Sequence, residues 1–403
     1  MAGNTLLTMS MITREAARVL ENNLCFAKQI RRTYADEFAR SGAKIGSVLN
    51  IRKPPKYIGR VGRTCAIEDV VETSVPLSLT TQFGVDMSFT SAEMALSIDD
   101  FSDRILKPAI AVVANRIDRD LLSLYSTVPN VVGTAGVVPN ALLTYLMAGV
   151  ALDDNMAPRD NQRAIVVNPI QQATIVDSLK GLFQSASQIE DQYEQGTMGL
   201  TAGFKWCMDQ NVWTHTAGAY GGAPVVSGGS QVGSNLLVSG FTAAAAPRLK
   251  KGDMFTLAGV NAVNGQNRQT LGYLRTFTVT ADVSSAADGT ATVPIYPPIV
   301  ATGATQTVTA SPAGGTPLTM TFTAGQVTSQ ALAFHKDAFT FASADLPLPD
   351  GVDKAARVSD SQLGLSIRMI RQYSICDDAW PTRLDILYGF APVYPELACR
   401  IIS

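Results

Sequence analysis

The side chains that most often carry chemistry are sparse in this chain and badly spaced for it. There are two histidines, His215 and His335, and no motif sets a nucleophile and a carboxylate beside either. A Ser-His-Asp or Cys-His relay is therefore not expected. The five cysteines (Cys25, Cys65, Cys207, Cys376, Cys399) are odd in number and form no C-x-x-C pair, which points to reduced, mostly buried thiols made in a cytosol. H-E-x-x-H, clustered Cys/His and D-x-D-x-D-G patterns are missing, so no metal is called for, and the glycines of 196–212 make neither G-x-G-x-x-G nor a P-loop. The acidic pairs Asp99-Asp100, Asp153-Asp154, Glu190-Asp191 and Asp377-Asp378 are sequence neighbours whose side chains diverge on a helix or strand. They read as caps, solvated faces or salt-bridge partners between subunits. No catalytic residue, cofactor or metal is expected, and so no enzyme.

What remains is charge available for surfaces. Arg52, Lys53, Lys56, Arg60 and Arg63 form one basic cluster, and Arg248, Lys250 and Lys251 a second. With little aromatic interleaving beyond Tyr57, the first fits an acidic neighbouring subunit better than a nucleic acid. The candidate subunit-interface residues are these eight together with Glu190 and Asp191. Net charge is −2 without a basic tail, and charged residues make up 16% of 403 against about 25% in an average soluble protein. So few charges, with 46% hydrophobic residues, imply a surface largely buried against other chains.

The elements that would carry these surfaces follow from periodicity. Apolar residues from Ile12 to Phe38 recur at helical spacing and predict an amphipathic N-terminal helix ending near Ser41-Gly42. A basic segment broken by Pro54-Pro55 leads into strict alternation from Val75 to Phe89, predicting one unusually long strand that pairs with an earlier one as a projecting hairpin. Residues 98–126 repeat at helical spacing, with Pro108 either kinking the helix or opening a second one at its first turn. The uncharged stretch Val128–Leu152 is divided by Gly133, Gly136, Pro139 and Asn140, which argues against a membrane span, and Asn140 is placed to cap a helix to Leu152. Residues 164–183 read as a buried strand, an Asn168 cap, Pro169 at the first helical position and a helix. Gln210–Pro247 has no charged side chain, and 217–234 reads as linker. Thr/Val runs then continue to about 335 as an all-β module, and 353–403 returns to mixed α/β character, with strands at 365–375 and 383–393.

That order of parts resembles the tailed-phage major capsid protein of the Hong Kong ninety-seven phage capsid fold. "NPIQQATIVDSL", "GTMGLTAGFKWCMDQNV" and "RLDILYGFAPVYPELACRI" look like the coat-protein branch typified by Salmonella phage P-twenty-two, and "RLKKGDMFTLAGVNAVN" is similar to the start of that branch's inserted barrel. The resemblance implies an α+β fold: N-terminal arm 1–44, extended hairpin loop 45–92, peripheral domain with spine helix 93–130, axial domain 131–222 and 336–403, and inserted β-barrel-like domain 223–335. Of these, 336–403 is implied to be shared between the axial and peripheral domains. The resemblance also implies a shell of pentamers and hexamers that encloses double-stranded DNA, built with scaffolding and portal proteins in a bacterial host's cytoplasm, with no membrane and no catalytic residue. An encapsulin-like nanocompartment shell, a tail or decoration protein, and an enzyme of unknown type are the alternatives.

Overall fold

The computed structural model describes residues 24–33, 48–59, 72–90, 107–179, 198–360 and 365–403, with isolated positions between them. Two compact units are present: Met1–Ile51 with Val75–Leu121 and Phe339–Val393, and Arg52–Ser74 with Leu122–Ala338 and Tyr394–Ser403.

The first unit is built on the strand Ala379–Pro392. Thr81–Thr90 pairs along one edge, while Leu365–Arg371 and Phe339–Ala344 share the other and Lys354–Asp360 extends the sheet. Gly389 of the long strand is required there, because a Cβ would run into the carbonyl oxygen of Ser78. Helix α1, Lys107–Leu122, buries Ile110, Val113, Ala114, Ile117 and Leu121 at the spacing of one helical face, and Pro108 sits in its first turn. Within this unit Tyr388 donates to Asp120 of α1 at 2.7 Å, and buried Asp385 accepts from Arg368 and Arg383, each at 2.7 Å.

Two expectations are corrected here. The N-terminal helix does not run unbroken to Phe38, although Ala16, Leu20, Leu24, Ala27 and Ile30 are buried as an apolar stripe should be. At 24–31 the chain leaves the helix: Asp118 of α1 captures the Cys25 and Ala27 amides at 2.7 and 3.0 Å, and Arg31 bridges to the sheet edge at Thr340. The long alternating strand is likewise two strands. Thr73–Ser78 pairs with Val48–Lys53 as a two-stranded hairpin, whereas Thr81–Thr90 joins the five-stranded sheet. The alternation is continuous because both halves have one covered face. What breaks is the pairing, around Leu79, which is itself buried.

The second unit contains a seven-stranded mixed sheet. Its path runs Asn130–Gly133, Ala398–Ile402, Val327–His335, Arg163–Val167, Phe204–Met208, Leu200–Thr201, with Thr214–Thr216 also paired to the start of Val327–His335. Helices α2, Leu142–Asp154, and α3, Pro169–Leu179, cover one face, where Tyr145, Leu152, Ile165, Val167, Ile175, Phe204 and Ile401 pack together. The start of α3 is a reciprocal cap: Asn168 Oδ1 accepts from the Gln171 amide at 2.7 Å, and Gln171 Oε1 accepts from the Asn168 amide at 3.3 Å. Asn140 does not cap α2. Ala141 holds that place without a side-chain hydrogen bond, and the four-residue β strand Asn130–Gly133 takes up part of the uncharged stretch. No helix among the described residues is long and apolar enough to cross a membrane.

Between Thr216 and Val327 lies an all-β body. Six strands run in the order Leu318–Met320, Met254–Val263, Thr270–Val279, Ala291–Ile299, Gly233–Phe241, Gly222–Val226. The two edges meet at a Val225–Pro317 bridge, which curls the sheet into a barrel around Leu236, Val238, Phe255, Leu257, Phe277, Val293 and Ile295. The stretch expected to be linker, 217–234, contributes the edge strand and several buried groups. Two of its glycines, Gly218 and Gly222, are needed for close backbone approach: a Cβ on Gly218 would lie 2.9 Å from both Leu249 Cα and the Asp253 carboxylate. Residues 327–335 belong to the mixed sheet, not to the β module, and 365–403 holds the strands Leu365–Arg371, Ala379–Pro392 and Ala398–Ile402 with a turn at 372–378 and one short 3-10 helix.

Candidate functional site

Beneath the barrel lies a buried polar network, and its parts come from four places in the chain. The 3-10 turn Ser123–Thr127 supplies Tyr125, the strand Thr214–Thr216 supplies His215, the turn before Met254 supplies Asp253, and Ala398–Ile402 supplies Arg400. Asp253 is fully buried and accepts from His215 Nε2 at 2.9 Å, the Gly218 amide at 3.1 Å, the Lys250 amide at 2.7 Å and Tyr220 OH at 3.4 Å. The other His215 nitrogen, Nδ1, faces Tyr125 OH at 3.1 Å.

Arg400 is also fully buried. It donates to Val128 O at 2.9 Å, Gly252 O at 2.7 Å and Thr278 Oγ1 at 2.7 Å, and its guanidinium lies 5.3 Å from the centre of the Tyr125 ring. Burial brings the Arg400 guanidinium down to about 10, while the nearby Tyr125 and Asp253 favour its charged form. Gly252 has φ +98°, a conformation only glycine adopts easily, and it points its carbonyl at the arginine while the His215 ring packs against its Cα.

Tyrosine, histidine and aspartate in a row have the composition of a relay, but the geometry is that of a lock. Tyr125 is 7% exposed and His215 3%, so no substrate reaches them. Burial raises the Tyr125 phenol, which makes it a poor nucleophile. What the network does is tie the barrel, through Gly252, Asp253 and Thr278, to the sheet strand carrying Arg400. A buried polar network with its hydrogen bonds completed fixes one arrangement strongly, because every alternative leaves buried groups unsatisfied.

The sequence-level candidates fall elsewhere. Arg52 is exposed and lies 3.9 Å from Glu72 across the hairpin, and Lys53 packs over the Tyr394 ring, its ammonium lowered chiefly by burial. Lys56 and Arg63 are exposed, as are Lys250 and Lys251. Arg60, Glu190 and Asp191 lie outside the described residues. Arg248 departs from the expectation: it is buried and spends its guanidinium inside the barrel on Ser285 Oγ at 2.9 Å and Thr242 O at 2.7 Å. Neither histidine is isolated from carboxylates, since His335 Nε2 sits 3.1 Å from Asp160. Asp253 and Arg400 were the residues sequence reasoning passed over. Arg400 is a lone charge in an apolar run, a local signal that points to it, whereas Asp253 follows Arg248, Lys250 and Lys251 and has none. Among the described residues no cluster of three His, Cys, Asp or Glu could hold a metal ion.

The outer surface is more apolar than the composition of any one element requires. Helix α2 shows Leu143, Leu146, Met147 and Val150 to solvent while burying Tyr145, Ala148 and Leu152 on its other side. A helix apolar on both faces expects cover on both.

Similar solved chains include one from Mycobacterium phage Che8, at 12% identity over 94% of this chain and 90% of that one with a TM-score of 0.45. Another is the capsid of Ralstonia phage GP4, at 8% identity over 93% and 87% with a TM-score of 0.47. The virus-like particle from Pyrococcus furiosus matches at 7% identity over 97% of each chain with a TM-score of 0.40. No curated protein gives a match. The profile of the P22 coat protein, gene protein 5, matches residues 1–400, and the chain belongs to that family: it is a major capsid protein, whose copies form an icosahedral shell.

Proposed function

We propose that this shell encloses the double-stranded DNA of a tailed bacteriophage, and that it is assembled in the host cytoplasm with scaffolding and portal proteins. In this reading 1–44 is the arm, 45–92 the extended hairpin loop, 93–130 the peripheral domain with its spine helix, 131–222 the first part of the axial domain, 336–403 the axial/peripheral remainder, and the insertion is the all-β body between Thr216 and Val327. The interface charges are Arg52, Lys53, Lys56, Arg60 and Arg63 on the hairpin, Lys250 and Lys251 on the insertion, and Glu190 and Asp191. The observation that carries the reading is the family match over residues 1–400. The chemistry agrees with it: the buried histidine–aspartate pair is closed to substrate, and a net charge of −2 lets a wall surround DNA without gripping it. Weak contacts repeated around closed rings suffice for a stable shell.

The test is expression of the chain alone and then with its neighbouring genes, followed by sedimentation and negative-stain electron microscopy. Closed shells or spirals are expected from the chain alone. Nuclease-resistant DNA is expected inside particles made with the full gene set. Uniformly empty particles under those conditions would remove the packaging part of the proposal.

A further inference from the structure

Arg275, on the barrel strand Thr270–Val279, is 6% exposed, and its Nε has no hydrogen-bond partner among the described residues. Burial weakens its hold on its proton. The titratable groups that act on it are Tyr273, Tyr296 and Glu396, and Tyr296 OH already donates to Glu396 at 2.6 Å. Across the rim, Asp154 is engaged by Tyr273 OH at 3.1 Å. No ion pair among the described residues joins Arg275 to a carboxylate, so its desolvation is not recovered within one chain.

Arg275 lines a cavity of about 270 Å³ together with Asn130, Met147, Val150, Asp154 and Tyr273. Met147 and Val150 also belong to the outward stripe of α2, whose members Leu143, Leu146, Met147 and Val150 are 65%, 41%, 47% and 46% exposed. The spacing i, i+3, i+4, i+7 makes them one continuous apolar strip running into the cavity. The carboxylate in the lining, Asp154, is already engaged by Tyr273 OH, so Arg275 beside the apolar wall favours an incoming carboxylate on an apolar stem or beside apolar neighbours. The chain carries such a sequence itself at Ile67-Glu68-Asp69-Val70, where Ile67 is 94% and Val70 59% exposed.

We propose that this cavity docks a second copy of the chain, which sets a carboxylate side chain against Arg275 and covers the α2 strip with apolar groups. The inference rests on the shell reading and names one of its subunit contacts. Arg275 acts there as the specificity element: it is worth little until a neighbour arrives, and then it rewards only an acidic one.

The experiment compares the full chain with Arg275→Met and with the surface double variant Leu143→Ser/Met147→Ser. In Arg275→Met the thermal midpoint of unassembled protein is expected to stay level or rise, since an unpartnered buried charge has been removed. In both variants the assembled fraction on sedimentation is expected to fall at least about tenfold at equal concentration, the loss of roughly 1.4 kcal/mol of contact. An electron cryomicroscopy map of wild-type shells is expected to show a carboxylate of another copy within about 4 Å of the guanidinium. Assembly of both variants at wild-type level overturns the proposal, and so does a map with water, an inorganic anion or a different protein in the cavity. A lowered midpoint in Arg275→Met would make the arginine an internal structural group and overturn its role. Where the two variants disagree, the map decides. If the wild type forms no shell at all, it is the shell reading that has failed.

Discussion

Asp253→Ala removes the centre of the polar lock, and its cost can be worked out from the geometry. The Lys250 and Gly218 amides lose their acceptor and His215 Nε2 loses its partner. Leaving a buried polar group unsatisfied typically costs about 1–3 kcal/mol, and three such groups place this case at about 4. Asp253→Asn should cost much less, about 1–2 kcal/mol. An amide can donate to His215 Nε2 if the imidazole proton moves to Nδ1, where Tyr125 OH is 3.1 Å away and able to accept. The retained carbonyl oxygen then serves the Lys250 amide. Urea titration of unassembled protein, followed by circular dichroism, measures both differences. For a body of this size about 4 kcal/mol corresponds to roughly 8–16 °C in thermal midpoint. An Asp253→Ala protein within about 1 kcal/mol of wild type, well below the summed cost of the orphaned groups, would refute the lock. Equal losses in the two variants would refute the tautomer argument while leaving the lock standing.

Three further outcomes are expected. Asn168→Ala removes half of the reciprocal cap on α3 and should destabilise the protein by about 1 kcal/mol, read from the same urea midpoints. Asp153 is held below its ordinary 3.8 by hydrogen bonds from Arg159 and Arg163. With its folded value depressed, its contribution is complete above 3.8 and is lost as pH falls through the lower folded value. Asp153→Asn should therefore flatten the acid limb of thermal midpoint against pH below about 4 and leave its shape near pH 7 unaltered. Neutralising Arg52, Lys53 and Arg60 together should impair shell assembly on sedimentation while circular dichroism stays that of the wild type, and normal particles would refute the hairpin's interface role.

Much of the fold could be read from local pattern, where the local pattern decides the structure. Asn168-Pro169 followed by Gln171 encodes a helix start almost without tertiary help, and α3 begins there. The apolar positions of α1 repeat at 3.6 residues because one face packs. Where partners are distant the pattern was silent. Thr73–Ser78 and Thr81–Thr90 share one alternation but pair with strands on opposite sides of the sequence. Arg248 and Arg400 are both arginines in β runs, and nothing nearby in sequence says that one fills the barrel and the other the sheet. The glycines of 217–234 looked like flexibility. Two of them, Gly218 and Gly222, mark places where another backbone comes too close for a side chain.

Thr216 and Val327 are register partners, so the chain enters and leaves the barrel through two hydrogen-bonded neighbours. The barrel is therefore a cassette: a short turn joining those two positions would close the sheet without it. Arg400 makes that excision conditional. Two of its three acceptors, Gly252 O and Thr278 Oγ1, leave with the cassette. A lineage that lost the barrel would be left with a naked guanidinium, and one that gained it onto an apolar residue at 400 would have nothing to hold it. Barrel and arginine should then be inherited together, and a minimal coat subunit engineered from this chain should carry an aliphatic residue at that position.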